Sequence, residues 1–171
     1  LSKAHGLLAA HVLSSVRTPQ FFSSPWNTSV HYFLVSGFRA YLLHTRILVL
    51  SDLSVTYSEF SSNLRRNIRS AEANGLSVRF GTIEDVISLS RKSFLRQQSE
   101  PWFCLDEVRR CFGHLSRIGR AGFFVTFNDA GSPIAAVAIV WDAKRAYYIL
   151  GGHDHEKSHR GAHSLALWRA M

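Results

Sequence analysis

The segment between Gly151 and His163 concentrates ionisable side chains that could carry out a reaction. An imidazole or a carboxylate placed beside an incoming amine can accept its proton. The candidate bases are Asp154, His153 and Glu156. These residues could supply the base for direct group transfer, the chemistry that remains because the sequence shows no motif for covalent catalysis, and which also needs a positioned donor.

The same segment also has features of an anion site. Glycines at the end of a strand let a ligand approach the backbone. Unpaired N–H groups where a helix begins near Gly161 can hold a phosphate or pyrophosphate, and the guanidinium of Arg160 would add charge. The predicted donor-binding residues are Gly151, Gly152, Arg160, Gly161 and Ala162.

Zinc is the competing interpretation of this segment, because it holds four imidazoles, those of His153, His155, His159 and His163. No cysteine lies nearby, and the spacing of the four histidines matches no zinc motif that can be justified mechanistically. A histidine-rich loop is more often simply solvated. We predict no metal.

A cluster of three arginines lies earlier in the chain, at Arg65, Arg66 and Arg69. These residues fall on the polar face of a predicted helix, so one interpretation is a solvated surface. The other is a site for phosphates or an RNA backbone, which clustered guanidinium groups bind well. The sequence leaves both open.

Composition narrows the class of protein. The chain has 171 residues, of which 46% are hydrophobic, and 20 Lys and Arg against 12 Asp and Glu give a net charge of +8. It is long enough for one globular domain, and its charge favours anionic partners such as nucleic acid, phosphorylated cofactors or acidic membranes. No nucleophile elbow, phosphate-binding loop, dinucleotide fingerprint or paired-cysteine zinc spacing occurs.

The cysteines and the apolar runs bear on location. Cys104 and Cys111 are predicted to be buried free thiols, which suits a reducing compartment and a cytoplasmic protein. The apolar run 7–16 is shorter than the roughly 20 residues that span a bilayer, so no transmembrane segment is predicted. The chain has no initiator methionine, and Met171 falls within a helical pattern, so we expect both ends to be cut from a longer protein.

Periodicity predicts a mixed succession of helices and strands. Residues 1–29 are assigned to an N-terminal helix and loop, and 30–171 to the main domain. The predicted strands are two within 30–50, the second over 40–50, then 76–80, 123–127, 134–141 and 146–150. The predicted helices are one through Tyr57 and Ala71 that ends at Gly75, then 83–97, 105–118 and 161–171. The order indicates an α+β fold with a mostly antiparallel sheet.

Several segments, taken in order, resemble the FemAB-like branch of the GNAT acyltransferase superfamily, sometimes described as a BioF2-like acetyltransferase domain, over about residues 30–171. The segments are 37–38 with 45–48, 63–72, 94–97, 147–154, and 161–168. The resemblance implies a GNAT fold whose central, mostly antiparallel sheet splays before the last helix. It also implies that the phosphates of the donor lie at the N-terminus of that helix.

The resemblance implies an N-acyltransferase that uses an acyl-CoA donor and the amine of a small molecule or a polysaccharide precursor. It equally admits an aminoacyl-tRNA-dependent peptide-bond former, with tRNA as a partner. A non-catalytic GNAT-like binding module is the third interpretation, because the loop before Ala162 carries few glycines. If the strands beyond Met171 are missing, we expect an open sheet edge through which the chain self-associates.

Overall fold

The computed structural model describes Arg39 and residues 47–50, 52–101, 103–157 and 159–171. The chain divides into two compact units, 1–48 and 49–171. The predicted N-terminal helix, the boundary near residue 30 and most of the strand over 40–50 lie outside the described residues. Residues 47–50 have no regular structure, so that end of the strand prediction is wrong. These four apolar residues are exposed, and β-propensity alone does not make a strand.

The first two helices of the second unit are α1 (Leu53–Glu59) and α2 (Ser62–Ala73). A single helix through this stretch was predicted, and that prediction is wrong. The chain is extended at Phe60 and Ser61, and the Ser61 hydroxyl accepts a hydrogen bond from the Leu64 N–H at 3.3 Å, which starts a new helix. The predicted end is confirmed, since Gly75 has a φ of +73° just beyond α2.

The remaining elements follow the predicted order, which confirms the α+β assignment. They are β1 (Ser77–Phe80), α3 (Ile83–Arg96), α4 (Leu105–Arg117), β2 (Ala121–Phe127), β3 (Pro133–Trp141), β4 (Ala146–His153) and α5 (Ala162–Arg169). The predicted cap before α3 is confirmed as a capping box, in which Thr82 and Asp85 bond each other's backbone N–H groups. Strand β4 runs three residues further than predicted, so His153 belongs to the strand.

The four strands form one antiparallel sheet in the order β1-β2-β3-β4. Helices cover both faces. On one face, Val86 and Leu89 of α3 and Phe112 of α4 pack against Phe123 and Val125 of β2. Because β3 lies inside the sheet with helices on both sides, it is buried continuously from residue 134 to 139 and does not alternate.

The opposite face is covered by α2 and α5. Ile68 of α2 packs against Leu165 of α5, and Ala166 of α5 lies against Val137 and Ile139 of β3. The sheet is therefore the middle layer of three. In the described part of the chain, no helix is long and apolar enough to cross a membrane.

The prediction of buried thiols is wrong, since both cysteines are free but exposed. Cys104 precedes α4 as its N-terminal cap residue. Cys111 lies beside Phe112, which is the residue of α4 buried against the sheet, and so falls on the outer side of the helix.

Candidate functional site

The end of β4 is shaped by two glycines that face opposite sides of the sheet. A Cβ at Gly152 would collide with the backbone of Leu89 and Ser90 in α3. A Cβ at Gly151 would lie 2.9 Å from the Ala136 carbonyl oxygen and 2.9 Å from Cε1 of His163 in α5. Both glycines therefore permit close packing of β4 against its neighbours.

Asp154 anchors the turn that follows β4. The residue is 4% exposed, and its Oδ2 lies 2.6 Å from Nζ of Lys92 on α3. Its Oδ1 accepts the Glu156 N–H at 3.1 Å. The Lys92 hydrogen bond is the main reason that the pKa of Asp154 is below its usual value. Asp154 is thus an ionised, paired carboxylate, which makes it a weak base.

His153 is held against α3 at the last position of β4. Its backbone N–H donates to Oγ of Ser93 at 3.0 Å, and Nε2 lies 3.5 Å from a guanidinium nitrogen of Arg96. Burial is the largest cause of its lowered pKa, with the charges of Arg96 and His155 acting in the same direction and Asp154 opposing them. The imidazole is therefore neutral at neutral pH.

Tyr148 and His163 meet on the α5 side of β4. The Tyr148 hydroxyl lies 3.2 Å from Nε2 of His163, and the ring centroids of His163 and His153 are 6.4 Å apart. Burial lowers the pKa of His163 most, His153 lowers it further, and the Gly152 backbone opposes the shift. Burial also raises the pKa of Tyr148. These two residues and His153 form a neutral, partly buried polar cluster.

Sequence reasoning did not select Tyr148, and it considered His163 only as a metal ligand. A signal was present, because Tyr148 is the second of two tyrosines on a predicted strand that leads directly into the candidate segment. The missing information was that α5 folds back over this strand.

A β-bulge interrupts β4 beside this cluster. Ala138 pairs with Leu150 and Ile139 pairs with Tyr148, so Ile149 has no partner on β3. Such an extra residue is left out of the hydrogen-bond ladder, and bulges are frequent beside active sites. Ile149 is 54% exposed, so the bulge lies at an accessible edge.

In the loop before α5, two of the backbone N–H groups that were expected to be unpaired already donate hydrogen bonds within the loop. The Gly161 N–H donates to Nδ1 of His159 at 3.1 Å, and the Ala162 N–H donates to the His159 carbonyl at 2.9 Å. A Cβ at Gly161 would collide with the Asn67 carbonyl of α2, and Ala162 is fully buried. Arg160 is exposed just before the helix. Packing alone thus accounts for a glycine at 161.

The remaining candidates of this segment lie apart. Glu156 and His155 are exposed in the turn after β4, and Nε2 of His159 lies 3.3 Å from the Ser70 hydroxyl of α2. Within the described ranges, no group of three or more His, Cys, Asp or Glu side chains is arranged to hold a metal ion.

The three predicted phosphate-binding arginines do not act as one unit. Arg66 and Arg69 line a surface depression of about 290 Å³ together with Ser62 and Asn63, which we call the arginine groove. Arg65 instead donates to the Ser58 carbonyl of α1 at 2.7 Å. Two guanidinium groups therefore remain beside the groove, of which Arg66 also donates to the Asn63 side chain at 2.9 Å.

Comparison with known proteins agrees with this architecture. A family model described as an acetyltransferase (GNAT) domain matches residues 58–171, well over half of the chain. A search of curated proteins finds no match. The FemAB-like subtype stays a prediction. The matched region contains the four described strands and the β4–α5 segment, and the chain belongs to the acetyltransferase (GNAT) family.

Proposed function

We propose that this domain transfers an acyl group from acyl-CoA to a primary amine, either of a small molecule or of a polysaccharide precursor. The main support for this proposal is the neutral polar cluster of Tyr148, His153 and His163, which lies beside the bulge of β4 in a domain of the GNAT family. An uncharged base beside an accessible strand edge suits proton removal from an amine during acyl transfer.

The donor is assigned to the β4–α5 segment. The N-terminus of α5 and the exposed guanidinium of Arg160 give a positive potential suited to the pyrophosphate of CoA. The N–H groups of Gly161 and Ala162 already donate within the loop. We therefore expect Arg160 to contribute more to pyrophosphate binding than it would beside a loop with unpaired glycine N–H groups.

The three predicted bases differ in their suitability. The carboxylate of Asp154 is paired with Lys92, and Glu156 lies exposed in the turn after β4. His153 is neutral, but the guanidinium of Arg96 faces its Nε2 and opposes protonation. Of the three, His153 has the charge state that a base needs.

Thermal unfolding with CoA and acetyl-CoA tests the donor. A ligand at one hundred times its Kd adds about 2.7 kcal/mol, which for a chain of this size corresponds to a rise in Tm of roughly 5–11 °C. We expect Arg160→Ala to reduce the rise, and we expect Arg117→Ala, a change on the far helix α4, to leave it intact. No shift with either ligand at millimolar concentration contradicts the acyl-CoA assignment.

Acceptors are then tested with acetyl-CoA and a panel of amino acids, amino sugars and polyamines, following release of the CoA thiol. Transfer to at least one primary amine is the expected result. Binding of acetyl-CoA without transfer to any member of the panel would favour a non-catalytic module, since a fold does not by itself establish an activity.

A second candidate donor is aminoacyl-tRNA, which the arginine groove favours. Arg66 and Arg69 lie on α2, the helix that packs against the start of α5. A phosphate backbone crossing this groove would approach the same end of α5 that is assigned to the donor. Charged tRNA that protects the protein when acetyl-CoA does not would decide for this alternative.

A further inference from the structure

Tyr148 and His163 form a hydrogen-bonded pair within the polar cluster beside the bulge, and neither residue has yet been given a role of its own. The hydroxyl lies 3.2 Å from Nε2, and the rings meet edge to face with centroids 5.8 Å apart. Gly151 makes the contact possible, because a Cβ at this position would lie 2.5 Å from the Tyr148 hydroxyl oxygen. We call this the tyrosine–histidine pair.

The surroundings of His163 indicate which nitrogen carries its proton. Nδ1 is buried and has no hydrogen-bond partner, whereas Nε2 lies 3.2 Å from the Tyr148 hydroxyl. Nε2 is thus the nitrogen that can accept a hydrogen bond from a hydroxyl group, and a neutral imidazole that accepts there carries its proton on Nδ1.

The charged and titratable groups around His163 keep it neutral. Tyr148 and His153 face it from β4. His153 is in turn faced by Arg96 of α3 and by its chain neighbour His155, whose charges both disfavour a further proton. The pair thus offers one vacant proton site at neutral pH, at Nε2 of His163.

Access distinguishes the pair from the other candidate bases. Tyr148 is 50% exposed and precedes the bulged Ile149, so its hydroxyl connects a partly buried imidazole with the edge of β4. Asp154 is closed off by Lys92, and His153 faces a guanidinium. Among these groups, only the pair combines a vacant proton site with a half-exposed tyrosine.

We propose that Tyr148 takes the proton of the attacking amine while its own hydroxyl proton passes to Nε2 of His163, an inference that rests on the N-acyl transfer proposed above. The N–C bond forms, the C–S bond breaks and CoA leaves as a thiolate. The proton then returns from His163 through Tyr148 to the sulfur, which gives the CoA thiol and restores the pair. Tyr148 is the catalytic residue and His163 acts through it.

The kinetic test uses the whole chain with acetyl-CoA and the fastest amine of the panel. Tyr148→Phe is expected to lower kcat by about 100-fold, the scale of general base catalysis, and to remove the acid limb of the pH profile, which is set by the lowered pKa of His163. Tyr147→Phe changes the adjacent exposed tyrosine and is expected to keep both the kcat and the acid limb of the parent. A Tyr148→Phe enzyme with wild-type kcat and acid limb, or loss of that limb in His153→Gln alone, overturns the proposal.

Nitrogen-15 NMR of His163 against pH supplies a readout that needs no substrate. The neutral ring is expected as the Nδ1–H tautomer. Tyr148→Phe should raise its pKa, because a hydroxyl donating to Nε2 stabilises the neutral form, while Tyr147→Phe should not. An Nε2–H tautomer in an active enzyme overturns the role of the pair alone. The expected tautomer in a chain that acetylates no amine overturns the proposed function instead.

Discussion

Gly152→Ala tests the close approach between β4 and α3 on which the candidate site depends. The added methyl group would enter space occupied by the backbone of Leu89 and by the backbone nitrogen of Ser90. These atoms cannot rotate away as the end of a side chain can. The helix or the strand must shift, and with it the residues that α3 presents to the turn after β4.

The cost follows from overpacking, which is typically 1–3 kcal/mol for an added methylene group. Because the obstruction is backbone, we expect the upper half of that range, about 2–3 kcal/mol. At 2–4 °C per kcal/mol for a chain of this length, Tm should fall by roughly 4–12 °C. Gly113→Ala is the matched control, since nothing lies within 4 Å of the place that its methyl group would take on α4, and helix propensity should make it stabilising by about 0.5–1 kcal/mol.

Thermal unfolding followed by circular dichroism at 222 nm measures both variants under one set of conditions. The expected result is opposite signs for the two changes. If Gly152→Ala melts within about 1 °C of the parent, α3 does not approach β4 as closely as described, and the reasoning on this contact is wrong. If Gly113→Ala destabilised the protein as much as Gly152→Ala, the loss would reflect a general intolerance of glycine replacement in helices and strands and not the contact with α3.

Three further changes probe the same region and the arginine groove. Asp154→Asn should lower the free energy of unfolding by about 1–2 kcal/mol at pH 7, with the half-exposed Lys92 limiting the loss. Because the native pKa of Asp154 is lowered, its contribution is present above about pH 4 and is lost as the pH falls through that native value, so urea titrations of parent and variant should converge in acid. Gly151→Ala should separate the tyrosine–histidine pair and change the NMR titration of the imidazole, and an unchanged titration would contradict the packing described for that glycine. Arg66→Ala should reduce the salt dependence of tRNA binding in filter assays by about one unit of slope, and binding too weak to measure at low salt would remove the tRNA alternative.

The sequence predicted elements well where the signal is local. Thr82 and Asp85 mark the start of α3 because a capping box needs only residues three apart. Gly75 marks the end of α2 because few other residues adopt a positive φ. The meander of β2, β3 and β4 was also predicted, since short loops join antiparallel neighbours.

The errors arise where local patterns compete or where distant residues decide. The apolar spacing through Phe60 suits one helix, but Ser61 caps a new one and the chain bends there. The turn after β4 is held by Lys92, which lies 62 residues from Asp154 in sequence. No periodicity in either segment indicates that pairing, so Asp154 looked like an available base.

The two glycines of β4 show how packing and chemistry become linked in this site. Their absence of side chains was taken as room for a ligand, but α3 fills the space beside Gly152 and the tyrosine–histidine pair fills the space beside Gly151. The space beside both glycines is therefore filled by other groups of the protein. One side of the strand is closed by the helix that supplies Lys92, which makes Asp154 a structural anion. The other side holds a neutral imidazole against the hydroxyl of a half-exposed tyrosine. The anchored charge of Asp154 therefore follows the strand on the α3 side, while the vacant proton site of His163 lies on the α5 side. The ion pair can keep the turn rigid without protonating the base, and for this reason proton transfer is assigned to the α5 side of β4.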